Sequence, residues 1–269
     1  MRDSSNSGGE NNWELDLIIL KSAAEIDKMR RAGRIVAEVL DTMRERVEPG
    51  VTTAQMNEWA EQVISKHDAI PSFRGYPPGS DHPFPASICA SVNEELVHGI
   101  PGPRVLQEGD IVSIDVGAIL DGYHGDAAIT LPVGQVSQEA QRLLQVTEQA
   151  LYEGIAAARV GGHAGDISFA IQSYVEGQGY LVVREYTGHG IGRDMHEDPQ
   201  VPNYGKPGHG VPLRKGLTVA LEPMVLIDDN RVRVLNDNWT VVSRNGKLTG
   251  HFEHTIAIVD GEAEILTRM

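Results

Sequence analysis

Apolar residues recur at helical spacing near the start of the chain, between Ile26 and Met43. Ser22 opens the sequence SAAE, a capping box that predicts the first turn of a helix. The pattern ends at the sequence EPG, because a Pro-Gly pair stops a helix. A second capping box, TTAQ from Thr52, predicts another helix through about His67. The chain is therefore expected to begin with two amphipathic helices.

The middle of the chain changes from a helical to a strand pattern. Residues 70–86 contain too many prolines and glycines for a regular element, which predicts an ordered loop. Residues 111–120 and 127–133 are strand-like, and the sequence DGYHGD between them predicts a turn at 121–126. Residues 137–159 are again helical, and the sequence VGGHAGDISF predicts a turn followed by a shorter helix.

The order of two helices and a strand pair occurs twice along the chain. The segments GDIVSID and GLTVALE each begin with glycine and end, at the same spacing, with an acid, Asp115 and Glu222. The strands DAAITL and EHTIAI each begin with an acid, Asp126 and Glu253. This repeat predicts an α+β fold of two related halves, in which four acids stand at matching positions.

The repeat also predicts how the chain is divided. We expect one domain over 15–269, with halves of about 22–134 and 135–265. Residues 1–14 are rich in Ser, Asn and Gly without apolar periodicity, which predicts a disordered polar tail.

Composition restricts the classes of function. The formal net charge of −15 argues against binding to a phosphate backbone and favours a cationic partner, such as a metal or a peptide ammonium group. Cys89 is the single cysteine, so no intrachain disulfide is possible. No segment has the roughly 20 apolar residues of a membrane helix. We therefore predict a cytoplasmic protein that binds neither nucleic acid nor a membrane.

The four matching acids require compensation if the two halves pack together. An unpaired carboxylate in a buried strand such as that of Asp115 costs of order 2 kcal/mol or more. Four carboxylates that share a buried site need cations to neutralise them. His189, between glycines in the sequence TGHG, adds an imidazole. This ligand set favours divalent Mn, Fe, Co or Zn, with Asp115, Asp126, His189, Glu222 and Glu253 as the minimal protein ligands.

Each of these residues also has a structural explanation when it is taken alone. Asp115 could accept hydrogen bonds from backbone amides, and Asp126 could form a turn. Glu222 and Glu253 could face solvent, and His189 could be a structural histidine. The matching positions of the four acids favour the metal site over these alternatives.

The motifs NEELVHGIP, IDVGAILDGYHGDAAIT, GHGIGRDMHEDPQVPNYG, ALEPMV and HFEHTI together resemble those of the type I methionine aminopeptidases, which have the pita-bread fold. The resemblance covers about 20–265 and is greatest for the short bacterial form, because 223–252 leave no room for the helical insertion of type II relatives. It implies two divalent metal ions held by the five residues above, with Asp126 and Glu253 bridging both. It also implies catalytic roles for three residues: His98, His196 and Glu222.

The resemblance further implies a methionine pocket, and three features of this sequence depart from the family pattern. The pocket would be lined by five residues: Phe73, Tyr76, Cys89, Met195 and Trp239. His98 and His196 would be further substrate contacts. Ordinary core packing is the alternative for these five. Val97 replaces the usual cysteine, His251 replaces the usual glutamine, and 77–84 resemble an insertion beside the pocket.

The function implied is removal of the N-terminal methionine from peptides and nascent chains, at the ribosome, preferentially before a small second residue. The protein would act as a monomer. Two alternatives remain open from the sequence. An Xaa-Pro aminopeptidase or prolidase uses the same five ligands but usually carries a large extra N-terminal domain, whereas a non-catalytic pita-bread binding module would have lost its metals.

Overall fold

The computed structural model describes residues 18–269, so the tail predicted at 1–14 lies outside the described residues. Four helices pack against the sheets: α1 Ala23–Arg46, α2 Thr53–Lys66, α3 Gln138–Ala157 and α4 Ala164–Gly177. The strands, in chain order, are β1 Ile70–Pro71, β2 Ile88–Val92, β3 Glu95–Val97, β4 Ile111–Leu120, β5 Tyr123–Pro132, β6 Leu181–Val182, β7 Thr187–Gly190, β8 Glu197–Pro202, β9 Thr218–Leu221, β10 Met224–Leu226, β11 Val232–Val234, β12 Val241–Ser243, β13 Thr249–His251, β14 Glu253–Ala257 and β15 Glu264–Ile265.

The predicted helices are confirmed, together with the caps that start the first two. Ser22 and Glu25 form the reciprocal capping box of α1, and Thr52 and Gln55 form that of α2. The side chain of Ser137 accepts a hydrogen bond from the backbone of α3. These side chains satisfy amide groups that have no partner within the helix, so local sequence sets where each helix begins.

The main sheet is antiparallel and nine-stranded, with the central order β1-β4-β5-β14-β9-β7-β8. β2 pairs with β4, and β15 pairs with β14. Two three-stranded sheets accompany it, in the orders β13-β10-β6 and β11-β12-β3. Strands from the first and second parts of the chain therefore meet where β5 pairs with β14.

Two sequence-based expectations about loops are corrected by the structure. The turn predicted at 121–126 is confined to Asp121 and Gly122, both with positive φ, and Asp126 already pairs with Gly117 inside the β4–β5 hairpin. The loop predicted over 70–86 begins with strand β1, which pairs with β4. A local run of turn-forming residues does not show how far a long-range pairing extends into it.

The two faces of the main sheet differ in chemistry. Ile114 and Val116 of β4 and Ile129 of β5 face the hydrophobic core that includes apolar residues of all four helices. At Gly125, a Cβ would lie 2.7 Å from the backbone nitrogen of Gly33, so strand β5 can approach helix α1 this closely because position 125 is glycine. The opposite face carries the acids. Within residues 18–269, no helix is both long and apolar enough to cross a membrane.

Candidate active site

The register of β4, β5 and β14 sets three acids side by side. Asp115 of β4 and Glu253 of β14 are both paired with Ala128 of the strand between them. Directly paired residues present their side chains to the same face, so both carboxylates share a face with the small Ala128. Asp126 precedes Ala128 by two residues and therefore projects to that face as well. The alternative explanation of Asp126 as a turn residue is not supported.

Two further predicted ligands reach the same face from the second part of the chain. His189 of β7 is paired with Ala220 of β9, and Glu222 follows two residues later, just past the end of β9. Ala220 is also paired with Thr255, two residues beyond Glu253 on β14. The alternation of side chains along a strand therefore brings all five predicted ligands to one face.

The side chains form two overlapping groups of donor atoms. Those of Asp126, His189 and Glu253 lie within 4.8 Å of one another, as do those of Glu222, His251 and Glu253. His189 Nε2 is 3.9 Å from Asp126 Oδ2 and 3.8 Å from Glu222 Oε1. These distances exceed hydrogen-bond length, and atoms that share one cation are spaced in this range.

Several oxygens in the group have no other partner. Within the described residues, Asp115 Oδ1, Asp126 Oδ1 and Glu253 Oε1 are buried and accept no hydrogen bond. A buried polar atom without a partner costs roughly 1–3 kcal/mol, and more if it is charged. Divalent cations would satisfy all three oxygens at once, so these residues fit the metal ions that the sequence predicts.

The electrostatics of the acids lead to the same inference. Burial raises the pKa of Asp115 to about 7 and the pKa of Glu222 to about 8. Burial, together with the neighbouring carboxylate of Asp115, raises the pKa of Asp126 well above its usual range. Burial and the Asp126 carboxylate do the same to the pKa of Glu253. Four carboxylates that repel one another in this way form a centre that a cation stabilises.

His189 is held in the form that a metal ligand requires. Its Nδ1 lies 2.8 Å from the carbonyl oxygen of Gly190, which can only accept a hydrogen bond, so Nδ1 carries the proton. The lone pair of Nε2 therefore faces the carboxylates. Burial lowers the pKa of His189 to about 3, which keeps the ring neutral.

A cavity of ≈ 150 Å³ adjoins the carboxylates. All the site residues predicted from the sequence line it, together with Phe84: Phe73, Tyr76, Cys89, His98, Asp115, Asp126, His189, Met195, His196, Glu222, Trp239 and Glu253. The cavity has a polar wall of acids and histidines and an apolar wall that includes aromatic rings. The structure thus brings the predicted residues together, while the role of each stays a prediction.

Two histidines lie between these walls. His98 packs edge-on against Tyr186 and Trp239, with ring centroids 5.7 and 6.0 Å apart. Burial lowers the pKa of His98 to about 4 and also lowers the pKa of His196. Both rings are therefore neutral near pH 7, and each has one N–H to donate to a substrate. His196 lies beside His189, with ring centroids 4.3 Å apart.

The inserted segment 77–84 contributes to the cavity wall. Two hydrogen bonds of 2.8 Å join its ends: Gly75 N donates to Phe84 O, and Phe84 N donates to Tyr76 O. Phe84 packs edge-on against Trp239, whose Nε1 donates to the carbonyl oxygen of His82 at 3.2 Å. The sequence places Phe84 in the loop predicted over 70–86 but did not predict that it lines the cavity.

Two further features were missed by sequence reasoning. His251, noted only as a departure, is buried with Nε2 facing Glu222 and Glu253. Lys21 forms a buried ion pair with Glu197, and Glu197 also accepts a hydrogen bond from the backbone nitrogen of Arg193 at 2.9 Å. This pair ties the segment before α1 to the loop that carries His196. Long-range pairs of this kind leave no local sequence signal.

Comparison with known proteins identifies the class and then the group within it. The family model described as metallopeptidase family M24 matches residues 27–260. Methionine aminopeptidase 1 of Bacillus subtilis is 52% identical over 253 residues, which cover 94% of this chain and 100% of the relative. Methionine aminopeptidase of Clostridium acetobutylicum is 52% identical over 93% of this chain and 99% of the relative. The chain therefore belongs to metallopeptidase family M24 and, within it, to the methionine aminopeptidases.

Solved structures agree with this assignment. The crystal structure of methionine aminopeptidase from Thermotoga maritima superposes with a TM-score of 0.91 at 45% identity, covering 94% of this chain and 100% of that one. An Xaa-Pro dipeptidase from Bacillus anthracis superposes with a TM-score of 0.76 at 21% identity, covering 97% of this chain and 65% of that one, and this likeness shows the fold alone. The predicted α+β pita-bread fold and the type I methionine aminopeptidase resemblance are confirmed.

Proposed function

We propose that the protein removes the N-terminal methionine from peptides and nascent chains by using two divalent metal ions held by five residues: Asp115, Asp126, His189, Glu222 and Glu253. The observation that carries this proposal is the cavity in which these residues and two neutral histidines face an apolar wall. The protein is a metal-dependent methionyl aminopeptidase by its family. The metal number, the metal identity and the roles of individual residues are the parts that we propose.

The mixed carboxylate and imidazole ligands support Mn, Fe, Co or Zn as the metal. Such ions, when bound, lower the pKa of a water ligand from about 15.7 toward 7, which makes a nucleophile available at neutral pH. Asp126 and Glu253 would each contribute to both ions, because they lie between Asp115 on one side and His189 and Glu222 on the other.

Proton transfer is assigned to Glu222. Its carboxylate lies at the cavity, with 14% of the side chain exposed, so it can reach the attacking water as well as the metal centre. Glu222 would accept the proton of the water and pass it to the leaving nitrogen. The backbone carbonyl of Glu222 accepts a hydrogen bond from Asn203 Nδ2 at 3.0 Å, which holds this residue past the end of β9.

His98 and His196 would act on the substrate carbonyl and the leaving amide. Each neutral ring can donate one N–H to the oxygen on which negative charge develops. Loss of a single donor of this kind costs about 2.7–4 kcal/mol of transition-state stabilisation in other enzymes. The low pKa values of both rings support donation rather than a fixed positive charge.

The apolar wall would bind the methionine side chain. Phe73, Phe84, Cys89 and Met195 form one buried cluster, with Trp239 packed against it. A thioether is polarisable and unbranched, and it packs well against aromatic edges and sulfur. We propose that a small second residue is preferred because Tyr76 and His196 restrict the space beside this wall.

We also propose that residues 15–269 act as one domain with halves of about 22–134 and 135–265. We propose further that the protein works as a monomer in the cytoplasm, where it acts on nascent chains at the ribosome. The recurrence of two helices followed by strands of the main sheet supports the two halves. The single cysteine, which is buried and free, suits a reducing compartment.

The test is hydrolysis of a peptide panel by the metal-free protein after stepwise addition of Mn, Fe, Co or Zn. We expect Met-Gly peptides to be cleaved and activity to reach its maximum at two equivalents of metal. Cleavage of Xaa-Pro peptides in preference to Met-Gly would favour the prolidase alternative. Absence of metal binding would favour the non-catalytic alternative.

A matched pair of variants tests the ligands. Asp115→Asn removes a predicted metal ligand from β4 and is expected to abolish metal-dependent turnover without unfolding the protein. Asp121→Asn changes an exposed aspartate at the far end of the same hairpin, where positive φ suits asparagine. It is expected to keep full activity. Full activity of Asp115→Asn would disprove the ligand assignment.

A further inference from the structure

His251 occupies a place in the structure from which it can reach the metal centre. It ends strand β13, and Glu253 begins β14 two residues later, while Phe252 between them packs in the hydrophobic core. The backbone of His251 is fixed on both sides by Thr130: its N–H donates to Thr130 Oγ1 at 2.9 Å, and its carbonyl accepts from the same hydroxyl at 2.7 Å. The ring is therefore directed toward the carboxylates by a rigid backbone.

The imidazole of His251 has an unused nitrogen. The residue is 1% exposed, and within residues 18–269 no hydrogen-bond partner of Nε2 is found. Nε2 is 3.6 Å from Glu222 Oε2 and 3.9 Å from Glu253 Oε2. A buried nitrogen without a partner is costly, and these distances are too long for hydrogen bonds. Something other than a neighbouring protein group is needed to satisfy it.

The distances fit two ligand atoms on one ion. Metal bonds of about 2.0–2.2 Å to nitrogen and oxygen place two ligands of the same ion about 3–4 Å apart. His189 has the same relation to its carboxylates, at 3.8 and 3.9 Å. Glu222 presents Oε1 to His189 and Oε2 to His251, so its carboxylate lies between the two imidazoles.

We infer that His251 is a sixth protein ligand of the metal centre, which binds through Nε2 an ion that it shares with Glu222 and Glu253. This inference rests on the metal centre proposed above and adds one residue to it. Glutamine, which the sequence resemblance leads us to expect at this position, would offer an amide instead of an imidazole. Imidazole favours Zn, Fe and Ni, whereas oxygen ligands suit Mn. His251 therefore shifts the preference of this centre away from Mn.

The experiment counts imidazole ligands directly. The protein is loaded with two equivalents of Co(II), and proton NMR in water records the strongly shifted N–H resonances of Co-bound histidines. We expect two such resonances in the unchanged protein, from His189 and His251, and one in His251→Gln. The control is His254→Gln, because His254 follows His251 by three residues but contacts Thr267 and Tyr152 and does not line the cavity. It should keep both resonances.

Metal titration provides a second readout. Zn affinity of the weaker site should fall at least about tenfold in His251→Gln, with a smaller loss for Mn. A hydrogen-bonding role for His251 can change affinity by a similar factor, so the resonance count decides between the two roles. One shifted resonance in the unchanged protein with two Co(II) bound would overturn the inference, even if the variant does not fold. Failure of the unchanged protein to bind Co(II) would instead overturn the proposed metal centre.

Discussion

The phenol oxygen of Tyr76 lies 2.6 Å from Nδ1 of His196. Because burial lowers the pKa of His196 and raises the pKa of Tyr76, both groups are neutral at pH 7. If the phenol donates to Nδ1, the proton of His196 is held on Nε2. Tyr76 then fixes which nitrogen of His196 can donate to the substrate.

We therefore expect Tyr76→Phe to lower kcat by about 3- to 10-fold on Met-Gly peptides, the equivalent of about 0.5–1.5 kcal/mol for one hydrogen bond. KM should change less, because the aromatic ring remains. Tyr180→Phe is the control, since Tyr180 belongs to the hydrophobic core and does not line the cavity. Equal kcat values for Tyr76→Phe and the unchanged enzyme would contradict this role.

Trp239 forms part of the apolar wall and is oriented by the inserted segment through the carbonyl of His82. Trp239→Ala is expected to lower kcat/KM for Met-Gly peptides about tenfold or more, because the methionine side chain loses apolar contact. The comparison is Trp59→Ala in helix α2, where Trp59 packs beside Arg46. An unchanged specificity constant in Trp239→Ala would argue against the pocket.

Metal-free protein should lose stability as the pH rises from about 7.5 to 8.5. Asp115 and Glu222 have folded pKa values of about 7 and about 8, well above their usual range, so in this window the folded state holds protons that the unfolded state has released. The unfolded state binds fewer protons, and the free energy of unfolding therefore falls with pH.

The buried histidines oppose this trend only below the window. Their folded pKa values of about 3 to 4 lie below the ordinary value of 6.5, so their contribution to stability grows until the unfolded histidines have lost their protons, about one unit above pH 6.5. Thermal unfolding in chelator, measured from about pH 7.5 to 8.5, checks the prediction. Added Mn(II) should remove the decline, because the cation replaces the protons. A midpoint that rises with pH in chelator would show that the acids are not held protonated.

The buried pair of Lys21 and Glu197 should matter for stability and for the site. Lys21→Met leaves Glu197 without its cation, which costs about 3–5 kcal/mol in buried pairs. Chemical denaturation measures this loss, and Lys21→Met combined with Glu197→Leu should recover part of it. Because Glu197 also holds the loop of Met195 and His196, we expect KM to rise in the single variant. A decrease in the free energy of unfolding of less than about 1 kcal/mol would show that the pair contributes no more than an ordinary surface ion pair.

Local patterns predicted the helices well because capping and helical spacing act over a few residues, as at Ser22 and Thr52. The acids were predicted from a repeat, which carries information about distant positions. The sequence showed His251 only as an unexpected residue, because the direction of its side chain depends on a hydrogen bond to Thr130, more than a hundred positions earlier. Lys21 and Glu197 gave no signal at all, because neither residue belongs to a periodic pattern or to the repeat.

The pairing of β5 with β14 has a consequence for how the enzyme matures. Asp115 and Asp126 are made early in synthesis, whereas Glu253 belongs to a strand near the end of the chain. Contacts between such distant segments form slowly, because a long intervening chain must be ordered first. The first part of the chain alone carries two of the five proposed ligands, too few to complete the proposed metal centre. We therefore expect tight metal binding only after β14 has paired with β5, so that metal uptake during refolding would report this late step.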